Sequence, residues 1–288
     1  MFKPVMAFAL VSVLTVFGAI FAESAACAKE NATKADKRIK TEISLTVAVA
    51  SNFFVPLQHL LELPSAPKEL NVKLVVGSSG SLYAQAIHGA PFDIFLAADK
   101  DRPQSLAKKQ SNRAVPFTYA YGRLVIYPAE QGMRLAKLNE AKRVAIANPK
   151  LAPYGQSAHA FLAKQNISEP KIVYGNNVSH AFQFADTGNV DFSITAESLL
   201  IHAFAISKKQ KYRRYLSLPA NTYPQIEQQG IILIGNKRDA HLSAAEVFVD
   251  FLLSGAAQSR LSTLGYEPVS SSVPGKLGLL NFMVGNKN

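Results

Sequence analysis

Residues 72–99 read VKLVVGSSGSLYAQAIHGAPFDIFLAAD, and their pattern indicates the fold class. It begins with the apolar, β-branched run at 72–76, which predicts a strand. A loop of glycine and serine follows at 77–81, and apolar residues at three- and four-residue spacing then predict a helix over 81–88. The apolar run at 94–97 predicts another strand. A strand, a helix and a strand in this order indicate an α/β chain.

The same alternation continues outward along the rest of the chain. Further apolar, β-branched runs predict strands at 45–49, 124–127, 144–146, 171–174 and 231–234. Helical spacing of apolar residues recurs at 155–165, 178–187 and 244–254. Strands that alternate with helices predict an α/β fold with mostly parallel sheets.

Four junctions between a predicted strand and the next helix are built from Ser, Asn, Gly or Pro. They lie at 49–52, 76–81, 148–155 and 174–179. The carboxyl ends of parallel strands share one side of a sheet, and helix N-termini have unpaired N–H groups, so converging junctions can hold an anion. The junctions contain no arginine and one lysine, Lys150, which favours a fully ionised oxyanion bound by neutral dipoles and hydroxyls. The alternative is four ordinary helix caps.

The N-terminus predicts an export signal. Lys3 precedes an uncharged apolar segment at 5–22, and the small residues that follow offer a cleavage site. We expect residues 1–28 to be a cleaved signal peptide, residues 29–42 to be a polar leader, and the mature protein to be periplasmic. A retained membrane anchor is the alternative, because the apolar segment nearly reaches spanning length. Whether Cys27 carries a lipid stays open.

Charge and cysteine content narrow the function classes. The chain has 31 Lys and Arg against 20 Asp and Glu, a net charge of +11, which suits nucleic acids or small anions. Export makes nucleic acid an unexpected partner. With a single cysteine and no His/Cys cluster at metal spacing, we expect no metal ion and no cofactor. We expect the basic run at 208–214 to be a solvated face, with transporter docking as the alternative.

The order of the motifs resembles a known family. The motifs are GSSGSL at 77–82, GAPFDIFLAAD at 89–99, YPQIEQ at 223–228 and a helix pair ending at Tyr266. In this order they resemble the periplasmic molybdate-binding proteins of ABC transporters, which are type II periplasmic binding proteins. The resemblance covers residues 45–266.

The resemblance implies a two-lobed α/β fold with two mostly parallel sheets and a ligand cleft between the lobes. Lobe one is expected to contain residues 43–121 and 229–285, and lobe two residues 122–228. No role is assigned to the tail at 275–288.

The resemblance also places ligand-binding roles on the four junctions. The residues concerned are Ser51, Asn52, Ser79, Tyr154 and Val178. Ser79 is expected to act through its hydroxyl, and Tyr154 and Val178 through backbone N–H groups. Many family members have a tyrosine ligand where this chain has Ala196, and a subgroup with asparagine at the position of Asn52 lacks that tyrosine. Asn52 is therefore expected to replace its hydrogen bond.

The function implied by the resemblance is solute binding without catalysis. A monomer would capture molybdate, and tungstate with it, between the lobes and deliver it to an inner-membrane ABC permease. A binder of another tetrahedral oxyanion, such as sulfate, is the alternative in the same class. A periplasmic serine hydrolase using Ser79 is the alternative from a different class, although no His/Asp pair in the sequence marks a base.

Overall fold

The computed structural model of the protein describes residues 43–110, 114–130, 132–165, 167, 171–233 and 239–269. The predicted signal peptide, Cys27, the polar leader and the tail at 275–288 lie outside the described residues.

The described strands form two sheets. The strands of the first sheet are β1 (Ile43–Ala50), β2 (Leu70–Gly77), β3 (Ile94–Leu96), β4 (Phe117–Gly122), β10 (Ile226–Ile232) and β11 (Tyr266–Glu267), in the order β11-β4-β10-β3-β1-β2. The strands of the second sheet are β5 (Leu124–Tyr127), β6 (Val144–Ala147), β7 (Ile172–Gly175), β8 (Phe192–Ala196) and β9 (Leu216–Ser217), in the order β7-β6-β8-β5-β9.

Helices connect most of the strands. They are α1 (Phe54–Leu61), α2 (Ser79–Ile87), α3 (Asp101–Lys109), α4 (Lys137–Glu140), α5 (Pro153–Lys164), α6 (Val178–Asp186), α7 (Glu197–Ser207), α8 (Asp239–Leu252) and α9 (Gly255–Thr263), with 3-10 turns at Gln210–Arg213 and Ala220–Thr222. Side-chain caps begin several of them: the Ser78 hydroxyl accepts the Ser81 N–H, the Asn177 carbonyl accepts the His180 N–H, and the Ser254 hydroxyl accepts the Ala257 N–H.

The α/β class is confirmed, but both sheets are mixed rather than mostly parallel. β1 pairs in parallel with β2 and β3, and β6 with β7 and β8, as crossover helices require. β10 is antiparallel to β3 and β4, and β5 is antiparallel to β8 and β9. The cause is the connection between the sheets: only Arg123 separates β4 from β5, and β10 later brings the chain back to the first sheet.

Each sheet supports its own apolar core. In β1, Val47 and Val49 pack with Phe248 on one face, while Ala48 packs with Leu82 on the other, as the two-residue period of a strand requires. A separate cluster surrounds the second sheet. The limits of the two lobes at 121/122 and 228/229 remain a prediction.

One observation bears on membrane insertion. Within the described part of the chain, no single helix is long and apolar enough to cross a bilayer, although α8 and α9, bent by 54°, pass that test as a pair.

Candidate functional site

Backbone hydrogen bonds join the four junctions one to the next. The Ser51 N–H donates to Gly77 O at 2.9 Å, which joins the first junction to the second. The Gly80 N–H donates to Leu151 O at 2.8 Å, which joins the second to the third across the two sheets. The Asn148 N–H donates to Gly175 O at 2.7 Å, which joins the third to the fourth. The junctions predicted to share a ligand therefore lie together.

Several amides at the junctions keep their N–H groups available. Within the described part of the chain, the amides of Asn52, Ser79, Tyr154 and Val178 have no hydrogen-bond acceptor. Ser79 and Val178 are the first residues of α2 and α6. The capping side chains of Ser78 and Asn177 accept hydrogen bonds from amides further along each helix, and so leave these first amides unpaired. Such amides add to the positive end of a helix dipole, so this cluster attracts negative charge.

Two serine hydroxyls complete the cluster. Ser79 Oγ accepts the Ala98 N–H at 2.8 Å, so the hydroxyl proton of this buried side chain can be donated elsewhere. The Ser51 hydroxyl has no partner among the described residues. Both hydroxyls can therefore donate to an acceptor between the junctions.

The third junction depends on a close approach of backbones. A methyl group on Gly155 would lie 2.2 Å from Ala147 O, so only glycine lets α5 begin this close to the end of β6. Pro153 is the first residue of α5 and has no N–H, which makes the amide of Tyr154 the first one of the helix.

The side chain of Asn52 makes contacts that the sequence did not predict. Its Nδ2 donates to Gln228 Oε1 at 2.9 Å and to the Tyr266 hydroxyl at 3.1 Å, and all three residues are buried. The side chain is thus bound to β10 and β11, and the amide N–H is the group that Asn52 offers at the junction. Gln228 and Tyr266 are far from Asn52 in the chain, so no local pattern predicted their contact with a site residue.

The phenol of Tyr154 joins the same group of buried side chains. Its hydroxyl accepts from Gln228 Nε2 at 3.2 Å. Burial, followed by the nearby Tyr266 and Tyr119, raises the pKa of Tyr154 well above its usual value. Burial likewise raises the pKa of Tyr119 and Tyr266. These phenols therefore stay protonated over the ordinary range of pH. The side chain of Tyr154 has a partner of its own, besides the role predicted for its N–H.

An ion pair lies next to the second junction, although no arginine was predicted there. Arg102 Nη1 is 2.7 Å from Asp99 Oδ2, and both side chains are largely buried. A methyl group on Gly80 would lie 3.3 Å from Arg102 Nη2, which puts the guanidinium beside the contact between Gly80 and Leu151. Asp99 neutralises this arginine, so the exposed Lys150 is the charged side chain among the junction residues.

Charged residues outside the junctions are also bound to neighbouring residues. Asp99 Oδ1 accepts the Arg102 N–H at 2.9 Å, near the start of α3. In the basic run, Lys211 Nζ is 2.5 Å from Asp186 Oδ1, and the Arg213 guanidinium lies 4.2 Å from the Phe204 ring centre. Ala196 ends β8 and is buried.

Comparison with known proteins places the chain in a family. A family model described as bacterial extracellular solute-binding protein matches residues 45–267. A molybdate-binding protein of Azotobacter vinelandii is 34% identical over 231 residues, which cover 76% of this chain and 88% of that protein.

Solved structures share the fold. The Azotobacter vinelandii periplasmic molybdate-binding protein superposes with a TM-score of 0.65 at 29% identity, covering 77% of this chain and 98% of that one. The sulfate-binding protein SubI from Mycobacterium tuberculosis superposes with a TM-score of 0.61 at 15% identity, covering 79% and 88%. The resemblance predicted from the sequence is thus confirmed, and the chain belongs to the family of bacterial extracellular solute-binding proteins.

Proposed function

We propose that the protein binds molybdate, and tungstate with it, at the four junctions in the periplasm and delivers it to an inner-membrane ABC permease. The observation that carries the proposal is the convergence of the junctions through three backbone hydrogen bonds, with the free amides of Asn52, Ser79, Tyr154 and Val178 beside them. The similarity to a molybdate-binding relative supports the choice of anion.

The donors suit an oxyanion without protons. Amides and serine hydroxyls at the junctions can each donate a hydrogen bond, and the oxygens of a fully ionised oxyanion only accept them. Monohydrogen phosphate carries a proton that needs an acceptor, and burying an unpaired donor costs about 1–3 kcal/mol. We therefore expect phosphate to bind weakly.

Sulfate is the second candidate, because it has the same charge and a sulfate-binding protein shares the fold. Its smaller size is the difference on which selectivity would depend. Catalysis by Ser79 is less favoured: its Oγ accepts an amide N–H from Ala98, which orients the hydroxyl as a donor to a ligand.

A thermal-shift screen tests the proposal. The protein from residue 29 onward is heated alone and with molybdate, tungstate, sulfate or phosphate. A ligand at about 100 times its Kd stabilises by about 2.7 kcal/mol, which raises Tm by roughly 5–10 °C in a chain of this size. We expect this shift with molybdate and tungstate. A shift with sulfate alone would favour the second candidate, and no shift with any anion would refute oxyanion binding.

A further inference from the structure

A buried glutamine connects the two sheets beside the candidate site. Gln228 lies on β10 and is 0% exposed. Its Oε1 accepts from Asn52 Nδ2 at 2.9 Å and lies 3.1 Å from the Tyr119 hydroxyl, while its Nε2 donates to the Tyr154 hydroxyl at 3.2 Å. One side-chain amide thus binds three residues from separate elements.

The partners of Gln228 come from both sides of the site. Asn52 follows β1 of the first sheet, and Tyr154 lies in α5 beside the second sheet. Tyr266 extends the group, because its hydroxyl donates to Asn52 O at 2.7 Å and accepts from Asn52 Nδ2. Within this group, the bond from Gln228 to Tyr154 joins α5 to the first sheet, and the Tyr154 hydroxyl is also bonded to that of Tyr266.

The same two residues face the anion site with their backbones. Asn52 and Tyr154 keep free amides at the first and third junctions, while their side chains bind Gln228. A shift of either residue would therefore move an amide of the site and stretch a bond to Gln228. Because all of these polar groups are buried, a bond broken without water entering leaves an unpaired group, which is unfavourable.

We propose that Gln228 is a positioning residue that holds the amides of Asn52 and Tyr154 in place for the anion and slows its release by keeping α5 bound to the first sheet. Gln228 acts through these two residues. The inference rests on the proposed function.

Gln228→Met tests the proposal, because methionine is similar in size and unbranched but cannot replace the three hydrogen bonds. Stopped-flow measurement of tyrosine fluorescence would give the association and dissociation rates of molybdate. We expect dissociation to accelerate by at least about tenfold and association to change by less than about threefold, since affinity changes within one interface fall mostly on dissociation.

Gln258→Met is the matched control. Gln258 is also buried, and its Nε2 donates to Tyr119 O and Leu252 O while its Oε1 accepts the Val269 N–H. Its bonds therefore stay with the elements around the first sheet. Both variants should lower the urea midpoint of the free protein, but only Gln228→Met should accelerate dissociation. Equal acceleration in both variants, or none in Gln228→Met, would overturn the proposal.

Tyr154→Phe provides a second variant that removes only the hydroxyl bound by Gln228. It should also accelerate dissociation. The double variant Gln228→Met/Tyr154→Phe should release molybdate more slowly than the product of the two single effects predicts, because both changes break the bond between Gln228 and Tyr154. Fully multiplicative effects would mean that the two side chains act separately, against the proposal.

Binding measurements on the wild-type protein distinguish a failure of the proposed function from a failure of the role proposed for Gln228. If it binds sulfate and not molybdate, the proposed function fails and the same rates are measured with sulfate, where the expectation for Gln228→Met is unchanged. If it binds none of molybdate, tungstate, sulfate and phosphate, both claims fail.

Discussion

At the scale of the residue, the proposed recognition divides between backbone and side chain. The amides of Tyr154 and Val178 are placed by the starts of their helices, whereas the Ser79 hydroxyl is held by the Ala98 N–H. A side-chain substitution removes a hydroxyl but leaves an amide in place, so Ser79 is the most direct residue to change.

Ser79→Ala should weaken molybdate binding by at least about tenfold, because a hydrogen bond to a charged partner is worth about 1.5–3 kcal/mol. Ser157→Ala is the control, since Ser157 is also buried and its hydroxyl donates to Pro224 O. Isothermal calorimetry of both variants measures the effect. Equal affinities in Ser79→Ala and the wild type would show that this hydroxyl does not bind the anion.

The sequence predicted the residues of the junctions better than the contacts between them. Ser51, Ser79 and Asn177 belong to local Ser/Asn/Gly patterns that mark helix starts, so composition was sufficient to find them. The bond from Asn52 to Gln228 spans 176 positions, and that from Asn52 to Tyr266 spans 214. Hydrogen-bonded pairs this far apart in the chain depend on how the sheets assemble. Local hydrophobic periodicity carries no information about that assembly.

At the scale of the element, the site requires α5 to begin against the end of β6. Gly155→Ala would place a methyl group 2.2 Å from Ala147 O, a backbone atom that cannot move independently. We expect the free energy of unfolding to fall by about 1–3 kcal/mol, the usual cost of overpacking, and molybdate affinity to fall with it.

Gly255→Ala is the control for this change. Gly255 is the first residue of α9, and a methyl group there meets no atom within 4 Å. This variant should be neutral or more stable by up to about 1 kcal/mol, because alanine favours a helix. Urea unfolding of both proteins checks the pair, and equal stabilities would contradict the close approach.

A pair of histidines joins α1 to α7. The rings of His59 and His202 lie 5.9 Å apart, and His202 Nδ1 is buried with no partner among the described residues. Burial, with a smaller effect of the charge on His59, lowers the pKa of His202 below its usual value. The folded protein therefore takes up this proton less readily than the unfolded chain does.

Stability should consequently be highest above the unfolded pKa of about 6.5 and fall as the pH drops through the lower folded pKa. His202→Phe should flatten this fall, whereas His88→Gln, at an exposed position after α2, should leave it unchanged. Urea unfolding at about pH 8 and about pH 5 measures the difference. An equally steep fall in His202→Phe would contradict this role.

Most of the described strands were predictable, whereas α1, α4, α7 and β8 carried no prediction. The strands β4 and β10, which were missed or shortened, share a cause. The runs at 45–49 and 124–127 are apolar and β-branched, which marks a buried parallel or central strand. The strand β4 reads FTYAYG and lacks such a run, and β10 begins five residues before the predicted 231–234. Both strands lead the chain from one sheet to the other and pair with each other in antiparallel. Their residue types are therefore set by the contacts they make in the folded protein more than by intrinsic strand propensity.

At the scale of the whole molecule, two sheets meet at one cluster of neutral donors. The alternation along the sequence predicted the α/β class, but only the resemblance to a family implied two lobes with a discontinuous first lobe. Little of the net charge of +11 lies at the junctions, where Arg102 is paired with Asp99 and Lys150 is exposed. Recognition should therefore depend on the number of donors and on the distances between them.

Calorimetric titration of the protein with molybdate and with sulfate tests this account most directly. Both anions carry two charges and four acceptor oxygens, and they differ in size. Donors at fixed positions should favour the larger anion, so we expect sulfate to bind at least about 100-fold more weakly than molybdate, a difference of about 2.7 kcal/mol. Equal affinities for molybdate and sulfate would contradict it.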